Sequence, residues 1–161
     1  MAPPNSVDTL SDGMNKPIDP APELATPANR SQAPVLAAVS AGGVLGALAR
    51  SGLASAWPHR PGTFPWATLV TNVSGCLLIG VLMVVVTEVL TERRLVRPFL
   101  GVGVLGGYTT FSTYIVDIGK TASAGAAGVA LVYLVVTLIG ALLAVWAGAS
   151  LTQWWVRSRR R

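Results

Sequence analysis

Four long apolar segments constrain this chain more than any other feature of its sequence. They cover about residues 35–53, 68–90, 98–118 and 126–151. Because a helix rises about 1.5 Å per residue, each segment can cross a hydrocarbon core about 30 Å thick. Only 12% of the residues are charged, about half the share found in ordinary soluble domains. The pattern predicts an all-α membrane protein with four transmembrane helices.

The sequence around these segments has a different composition. Residues 1–32 are rich in Pro, Ala, Ser, Asn and Asp and carry few large apolar side chains, so we predict a disordered N-terminal tail that is not a secretory signal. Residues 33–153 form the predicted transmembrane domain, and residues 154–161 form a basic C-terminal tail. The connection over residues 55–66 contains three prolines, which favours an interfacial loop or a short surface helix.

Basic residues near the membrane ends predict how the four spans are oriented. An even number of spans places both termini on one side, where eight basic residues face three on the other: Arg30, Arg93, Arg94, Arg97, Arg157, Arg159, Arg160 and Arg161 against Arg50, Arg60 and Lys120. The positive-inside rule therefore predicts cytoplasmic termini. We expect no binding of nucleic acid, because no folded nucleic-acid module accompanies these charges.

Side chains that usually carry enzymatic chemistry are sparse in the four segments. The single histidine, His59, lies in a connection and is expected to be a solvated loop residue. The single cysteine, Cys76, lies within an apolar run, so it is expected to be a buried filler. No pair of carboxylates falls within a segment, and no set of ligands has metal-binding spacing. We therefore expect that the chain is not an enzyme.

The third segment contains GGYTTFSTY at residues 106–114, which combines two glycines with hydroxyl and aromatic side chains. Glycine and hydroxyl residues weaken a helix, so a break is plausible here. Such breaks persist at membrane depth where the freed carbonyls line a cavity or hold a cation. Close packing through small residues is the alternative interpretation. Phe111 and Tyr114 share one helical face, and their ring edges suit either an anion or simple packing.

Three further polar residues lie within otherwise apolar segments. Asn72 is the amide inside the second segment, and it suits either interhelical hydrogen bonding or contact with an ion. Tyr133 and Thr137 are spaced i, i+4 in the fourth segment, so their hydroxyls form a short row. Because polar groups facing lipid are costly, these side chains should face one another or a water-filled path. Donors without carboxylates favour an anion over a cation.

Three segments together resemble the CrcB/Fluc family of fluoride channels: GGVLGALAR at 42–50, FPWATLVTNVSGCLLIG at 64–80 and GVLGGYTTFSTYIVD at 103–117. The resemblance covers about residues 37–150. It implies passive export of cytoplasmic fluoride by an antiparallel dimer with two pores. It also implies a broken third helix whose carbonyls hold a structural sodium ion. On this chain the implied sodium positions are Gly106 and Thr109, and the implied ion pathway comprises Arg50, Asn72, Phe111, Tyr114, Tyr133 and Thr137.

The chain departs from the family pattern at three positions. Tyr114 stands where the family usually has phenylalanine, and its hydroxyl could bond fluoride or narrow the path. Asp117 is shorter by one methylene than the usual glutamate. Ala141 falls where the next hydroxyl of the fourth helix would be, so the polar track could end early.

The charge bias also bears on the partner. The family resemblance implies dual topology, which should accompany nearly balanced loop charges, whereas this chain carries eight against three. We therefore hypothesise that the chain has one orientation and pairs with an oppositely oriented homologue, the alternative being a homodimer that tolerates the bias. Two other functions are the alternatives. A proton-coupled multidrug exporter would need an acidic residue deep in its first span, which is absent, and a membrane scaffold would not transport ions.

Overall fold

The computed structural model describes residues 29–89 and 94–159. Within these residues every regular element is helical: α1 Asn29–Ala56, α2 Trp66–Glu88, a π-helix Arg97–Leu105, α3 Gly106–Tyr108, α4 Ser112–Ser123 and α5 Ala127–Arg159. Four stretches are long and apolar enough to span a membrane: Gln32–Ala56, Trp66–Glu88, Arg97–Ser123 and Ala127–Arg159. The prediction of an all-α protein with four membrane-spanning helices is therefore confirmed.

The boundaries of the spans differ modestly from those expected. The predicted tail over residues 1–32 lies outside the described residues, apart from residues 29–32 at the start of α1. The connection between the first two spans is a loop, in which Gly62 adopts a positive φ of 84° and the Thr63 amide donates to the Arg60 carbonyl at 3.1 Å. At the other end, α5 continues to Arg159 and includes most of the predicted basic tail.

The second and fourth spans pack with their backbones almost in contact. A Cβ atom added to Gly80 would strike the carbonyl oxygen of Val145, and one added to Gly148 would strike that of Leu77. Close approach through small residues is the usual way in which membrane helices associate, because the hydrophobic effect does not drive helices together in lipid. These two glycines therefore set the distance between α2 and α5.

The first span packs against the third in the same manner. A Cβ on Gly42 would strike the carbonyl oxygen of Phe99, and one on Gly46 would strike that of Val104. Farther along, Gly107 faces the backbone of Gly43 just as closely. The small residues of the first segment thus allow the close backbone approach that their spacing indicates.

The third span has the least regular backbone of the four. It begins with nine residues of π-helix, Arg97–Leu105, a conformation that the sequence did not indicate. After α3 the backbone of Thr109 is extended, with φ −74° and ψ 155°, and helix resumes at Ser112 in α4. Residues 109–111 are not helical. Short π-helical segments within helices often occur near functional sites.

The outer faces of the helices expose large apolar side chains, as contact with lipid requires. Leu131, Leu142 and Leu151 on α5 are 63%, 65% and 65% exposed in the single chain. Tyr133 on the same helix is fully buried, at 0% exposure. Tyr133 is therefore turned away from the surface on which these leucines lie.

Candidate ion pathway

Asn72 holds the irregular part of the third span from the neighbouring helix α2. Its side-chain nitrogen donates to the carbonyl oxygen of Thr110 at 2.9 Å, and its side-chain oxygen accepts from the Thr110 amide at 2.9 Å. One amide side chain thus satisfies both backbone groups of a residue that lies outside any helix. An unpaired backbone group at this depth would cost several kcal/mol, on the order of the penalty for burying an unbonded amide.

The same contacts remove the usual donors from two backbone carbonyls. In a continuous helix the Thr110 amide would donate to Gly106, but here it donates to Asn72. The Thr113 amide would likewise donate to Thr109, but it donates to the Thr110 hydroxyl at 3.2 Å. The carbonyls of Gly106 and Thr109 therefore lack their normal helical donors. These are the two positions that the family resemblance implies for sodium.

Small and hydroxyl residues of α2 make room for this segment and contact it. The Ser74 hydroxyl lies 2.9 Å from the Tyr108 hydroxyl, and it also donates to the Val70 carbonyl at 2.6 Å. A Cβ on Gly75 would strike the Cγ2 methyl of Thr109. The roles of Ser74 and Gly75 were not predicted from the sequence, although small residues beside Asn72 could have indicated a close helix contact.

A cavity of about 240 Å³ opens beside the non-helical residues. It is lined by Asn72, Cys76, Thr109, Thr110, Phe111, Tyr114, Thr137, Leu138 and Ala141. Four of the predicted pathway residues thus share one cavity with Thr109, a predicted sodium position, and none of these nine described residues is acidic. Ala141 also lies on the lining, where it provides no hydroxyl.

Two hydroxyls at this end of α5 have no protein partner. Within the described part of the chain, Tyr133 Oη and Thr137 Oγ1 are buried and make no hydrogen bond of acceptable geometry. Thr68 and Thr137 flank Tyr133, but neither threonine hydroxyl forms a hydrogen bond of acceptable geometry with the Tyr133 hydroxyl. Buried polar groups are nearly always satisfied, so two adjacent orphans indicate a place for a ligand or water.

An unbroken series of aromatic contacts connects the cavity to the first loop. The ring centroids of Phe111 and Tyr114 lie 6.0 Å apart, those of Tyr114 and Tyr133 lie 5.3 Å apart, and those of Tyr133 and Phe64 lie 5.3 Å apart. The Tyr114 hydroxyl donates to the Leu134 carbonyl at 2.8 Å. The additional hydroxyl of Tyr114 therefore donates its proton to the backbone of α5.

Arg50 lies in a different place from the other predicted pathway residues. It lines a second cavity of about 220 Å³ between α1, α2 and the non-helical segment. Thr110 lines both cavities, so the two adjoin at the residue that Asn72 holds. The structure therefore brings Arg50 near the predicted pathway but not to the cavity that Phe111 and Thr137 line.

A buried polar contact near the first loop was not predicted from the sequence. The Thr68 hydroxyl donates to Oδ2 of Asp117 at 2.7 Å, and Nε2 of His59 lies 3.8 Å from Oδ1 of the same carboxylate. The His59 side chain is 28% exposed. His59 is therefore an exposed loop residue, as expected, but its sequence neighbours gave no sign of a partner in a distant span.

A metal site built from acidic, histidine or cysteine side chains is not found in residues 29–89 and 94–159, where no group of three or more such side chains is suitably placed. The oxygen atoms at Gly106 and Thr109 are their backbone carbonyls and the Thr109 hydroxyl, which donates to the Leu105 carbonyl. Oxygen ligands of this type suit hard cations.

These features define a class: a small four-span membrane protein whose unpaired polar groups gather where the third span leaves its helical path. The chain belongs to the family described as "CrcB-like protein, Camphor Resistance (CrcB)", whose sequence model matches residues 37–149. With this family and four apolar helices, it is a multi-pass protein of the cell membrane.

The chain covers most of the length of several curated relatives. The chain is 50% identical over 127 residues to "Fluoride-specific ion channel FluC 2" of Nocardia farcinica, which covers 79% of this chain and 91% of the relative. It is 56% identical over 119 residues to the protein of the same name from Thermobifida fusca, covering 74% and 88%. A further FluC 2, from Streptomyces avermitilis, is 54% identical over 118 residues, covering 73% and 75%.

Proposed function

We propose that this chain forms a fluoride-selective ion channel, which lets cytoplasmic fluoride leave passively and protects the cell from fluoride toxicity. The observation that carries the proposal is the pair of buried, unpartnered hydroxyls of Tyr133 and Thr137, the second of which lines the cavity beside Asn72. The names of the relatives support the choice of anion. Conduction of this kind includes no covalent step, so the chain is not an enzyme.

The polar groups of the cavity suit an anion because they can donate hydrogen bonds. A carboxamide carries two N–H donors, and Asn72 uses one of its donors on Thr110. The hydroxyls of Tyr133 and Thr137 each have a proton with no protein acceptor. A selectivity filter works by replacing part of the hydration shell of an ion. In this channel Asn72, the two hydroxyls and the ring edges of Phe111 and Tyr114 replace the water of fluoride.

The third span is proposed to be a broken helix that holds a structural sodium ion. Support comes from the extended backbone of Thr109 and from the carbonyls of Gly106 and Thr109, which lack their helical donors. Carbonyl oxygens are ligands that a hard monovalent cation accepts. When bound, sodium would supply a positive charge that stabilises these two carbonyls, while Asn72 holds Thr110 from α2.

The conducting unit is proposed to be an antiparallel dimer. Phe111 lines the cavity yet is 76% exposed in the single chain, and a second subunit would cover its ring. The partner is either another copy of this chain or a homologous subunit. The uneven distribution of basic residues favours the second option, because orientation follows that bias. Relatives of this chain named FluC 2 and FluC 3 both occur in Streptomyces avermitilis.

Fluoride release from vesicles tests the proposed function. Purified full-length chain is incorporated into lipid vesicles loaded with potassium fluoride or potassium chloride, and a potassium ionophore starts the release. We expect fluoride to leave far faster than from protein-free vesicles and far faster than chloride, because a filter replaces the hydration shell only of an ion that fits it. If the chain alone gives no release, the same assay is repeated with a coexpressed homologue inserted in the opposite orientation. Release equal to that of empty vesicles in both cases would contradict the proposal.

A further inference from the structure

A buried carboxylate lies beside the proposed pathway and is not part of it. The Asp117 side chain is 6% exposed and accepts from the Thr68 hydroxyl at 2.7 Å. Its other oxygen lies 3.8 Å from Nε2 of His59. The three residues come from the first loop, α2 and α4, so the contact joins the loop to two spans. Carboxylates are rarely buried to this degree unless they are paired.

The carboxylate is close enough to the pathway to affect an anion there. Tyr133, whose hydroxyl is unpartnered, lies within the electrostatic reach of Asp117 and beside Thr68. Thr68 also lines the second cavity, together with Arg50. An anion near the Tyr133 hydroxyl would therefore be repelled by Asp117 unless a nearby positive charge compensates. At short range in a poorly solvated site this repulsion is strong.

We propose that His59 is a positioning residue of the pathway, which acts through Asp117 so that fluoride passes faster when His59 is protonated. The inference depends on the proposed function, because it concerns the rate of that conduction. When His59 is charged, its N–H neutralises the carboxylate and draws it toward the loop. When His59 is neutral, only the Thr68 hydroxyl stabilises the Asp117 carboxylate. The full negative charge of Asp117 then acts on an anion in the proposed pathway.

Other charged and titratable groups surround the cluster. They are Tyr133 and Tyr114 beside it, Arg50 on α1, Arg60 on the loop and Lys120 on α4, one turn after Asp117. Histidine is the side chain whose charge ordinarily changes between about pH 5 and about pH 8. The pH dependence of conduction in this range would therefore report the state of His59.

Fluoride release between about pH 5.5 and about pH 8 tests the inference. The wild-type rate, corrected for the release of hydrogen fluoride from protein-free vesicles, should rise several-fold as the pH falls. His59→Gln should give a slow rate that does not change with pH. Asp117→Asn should give a fast rate that does not change with pH, because the repelling charge is gone. Arg60→Gln, which removes a fixed charge from the same loop, should keep the wild-type pH ratio.

A second measurement reports the ion pair even if the chain does not conduct fluoride. A group that gains a partner when protonated stabilises the folded state at low pH and loses this contribution as the pH rises. The thermal midpoint of the wild-type protein in detergent should therefore fall from about pH 5.5 to about pH 8 more steeply than those of His59→Gln and Asp117→Asn. Equal slopes in the three proteins would overturn the inference. No fluoride release at any pH with unequal slopes would instead defeat the proposed function alone.

Discussion

Helix α2 makes two contacts that differ in kind, although they lie only about two turns apart. At Gly80 it meets α5 through bare backbone, with both helices continuous. At Asn72, Ser74 and Gly75 it meets the third span where that span leaves the helical path. A continuous helix satisfies its own backbone, so its neighbour needs only to be small. An interrupted span exposes backbone groups, so its neighbour must offer polar partners.

The largest effect is expected from adding a side chain at the close backbone contact between α2 and α5. Gly148→Val places a branched side chain where even a single Cβ would strike the Leu77 carbonyl. Overpacking costs about 1–3 kcal/mol, and a backbone atom cannot yield as a side chain can. We expect the thermal midpoint in detergent to fall sharply and both fluoride release and monodispersity to be lost.

Gly128→Val is the matched control for this change on the same helix. A Cβ there meets no described atom within 4 Å, so stability and release should stay near the wild-type values. If Gly148→Val were as stable as Gly128→Val, the close backbone contact would not set the distance between α2 and α5.

A smaller effect is expected from crowding the polar contact. Gly75→Ala adds a Cβ that strikes the Thr109 methyl, so Thr109 must move while α2 gains helix propensity worth about 1 kcal/mol. We expect the protein to remain folded and fluoride release to fall by at least about tenfold, since a 1 Å displacement in a filter is costly.

Gly119→Ala provides the control in the third span, because a Cβ there meets no described atom within 4 Å. Its release rate should match the wild type. Unchanged release in Gly75→Ala would show that the position of Thr109 has no bearing on conduction.

The smallest effects are expected from removing two tyrosine hydroxyls, of which one has a hydrogen-bond partner and the other has none. Tyr114→Phe removes the bond to the Leu134 carbonyl, so it should lower stability by about 0.5–1.5 kcal/mol and leave release nearly unchanged. Tyr133→Phe removes an unpartnered hydroxyl, so it should leave stability unchanged or higher and slow release several-fold. Chemical denaturation and vesicle release measure the two quantities separately. The opposite pattern would exchange the roles of the two residues.

The sequence predicted the spans well and the details of the third span less well. Apolar length alone placed all four spans, and the glycines of α1 correctly indicated close backbone approach. Asn72 stood out as an amide within an apolar segment. Its two bonds to Thr110 could not be predicted, because they depend on how α2 aligns with a residue 38 positions later in the chain. The π-helix and the His59 contact with Asp117 were missed, because neither has a local signal.

Removing the Asn72 side chain tests the central claim most directly, namely that the polar contact of α2 builds the conducting site. Asn72→Ala and the control Thr87→Val are incorporated into fluoride-loaded vesicles at equal density. The control loses a hydroxyl that bonds only to the carbonyls of Met83 and Val84 in its own helix. Because Asn72→Ala leaves both Thr110 backbone groups unpaired at a cost of about 1–3 kcal/mol each, its fluoride release should fall by at least about tenfold while Thr87→Val conducts normally. Equal release from the two variants would contradict the account.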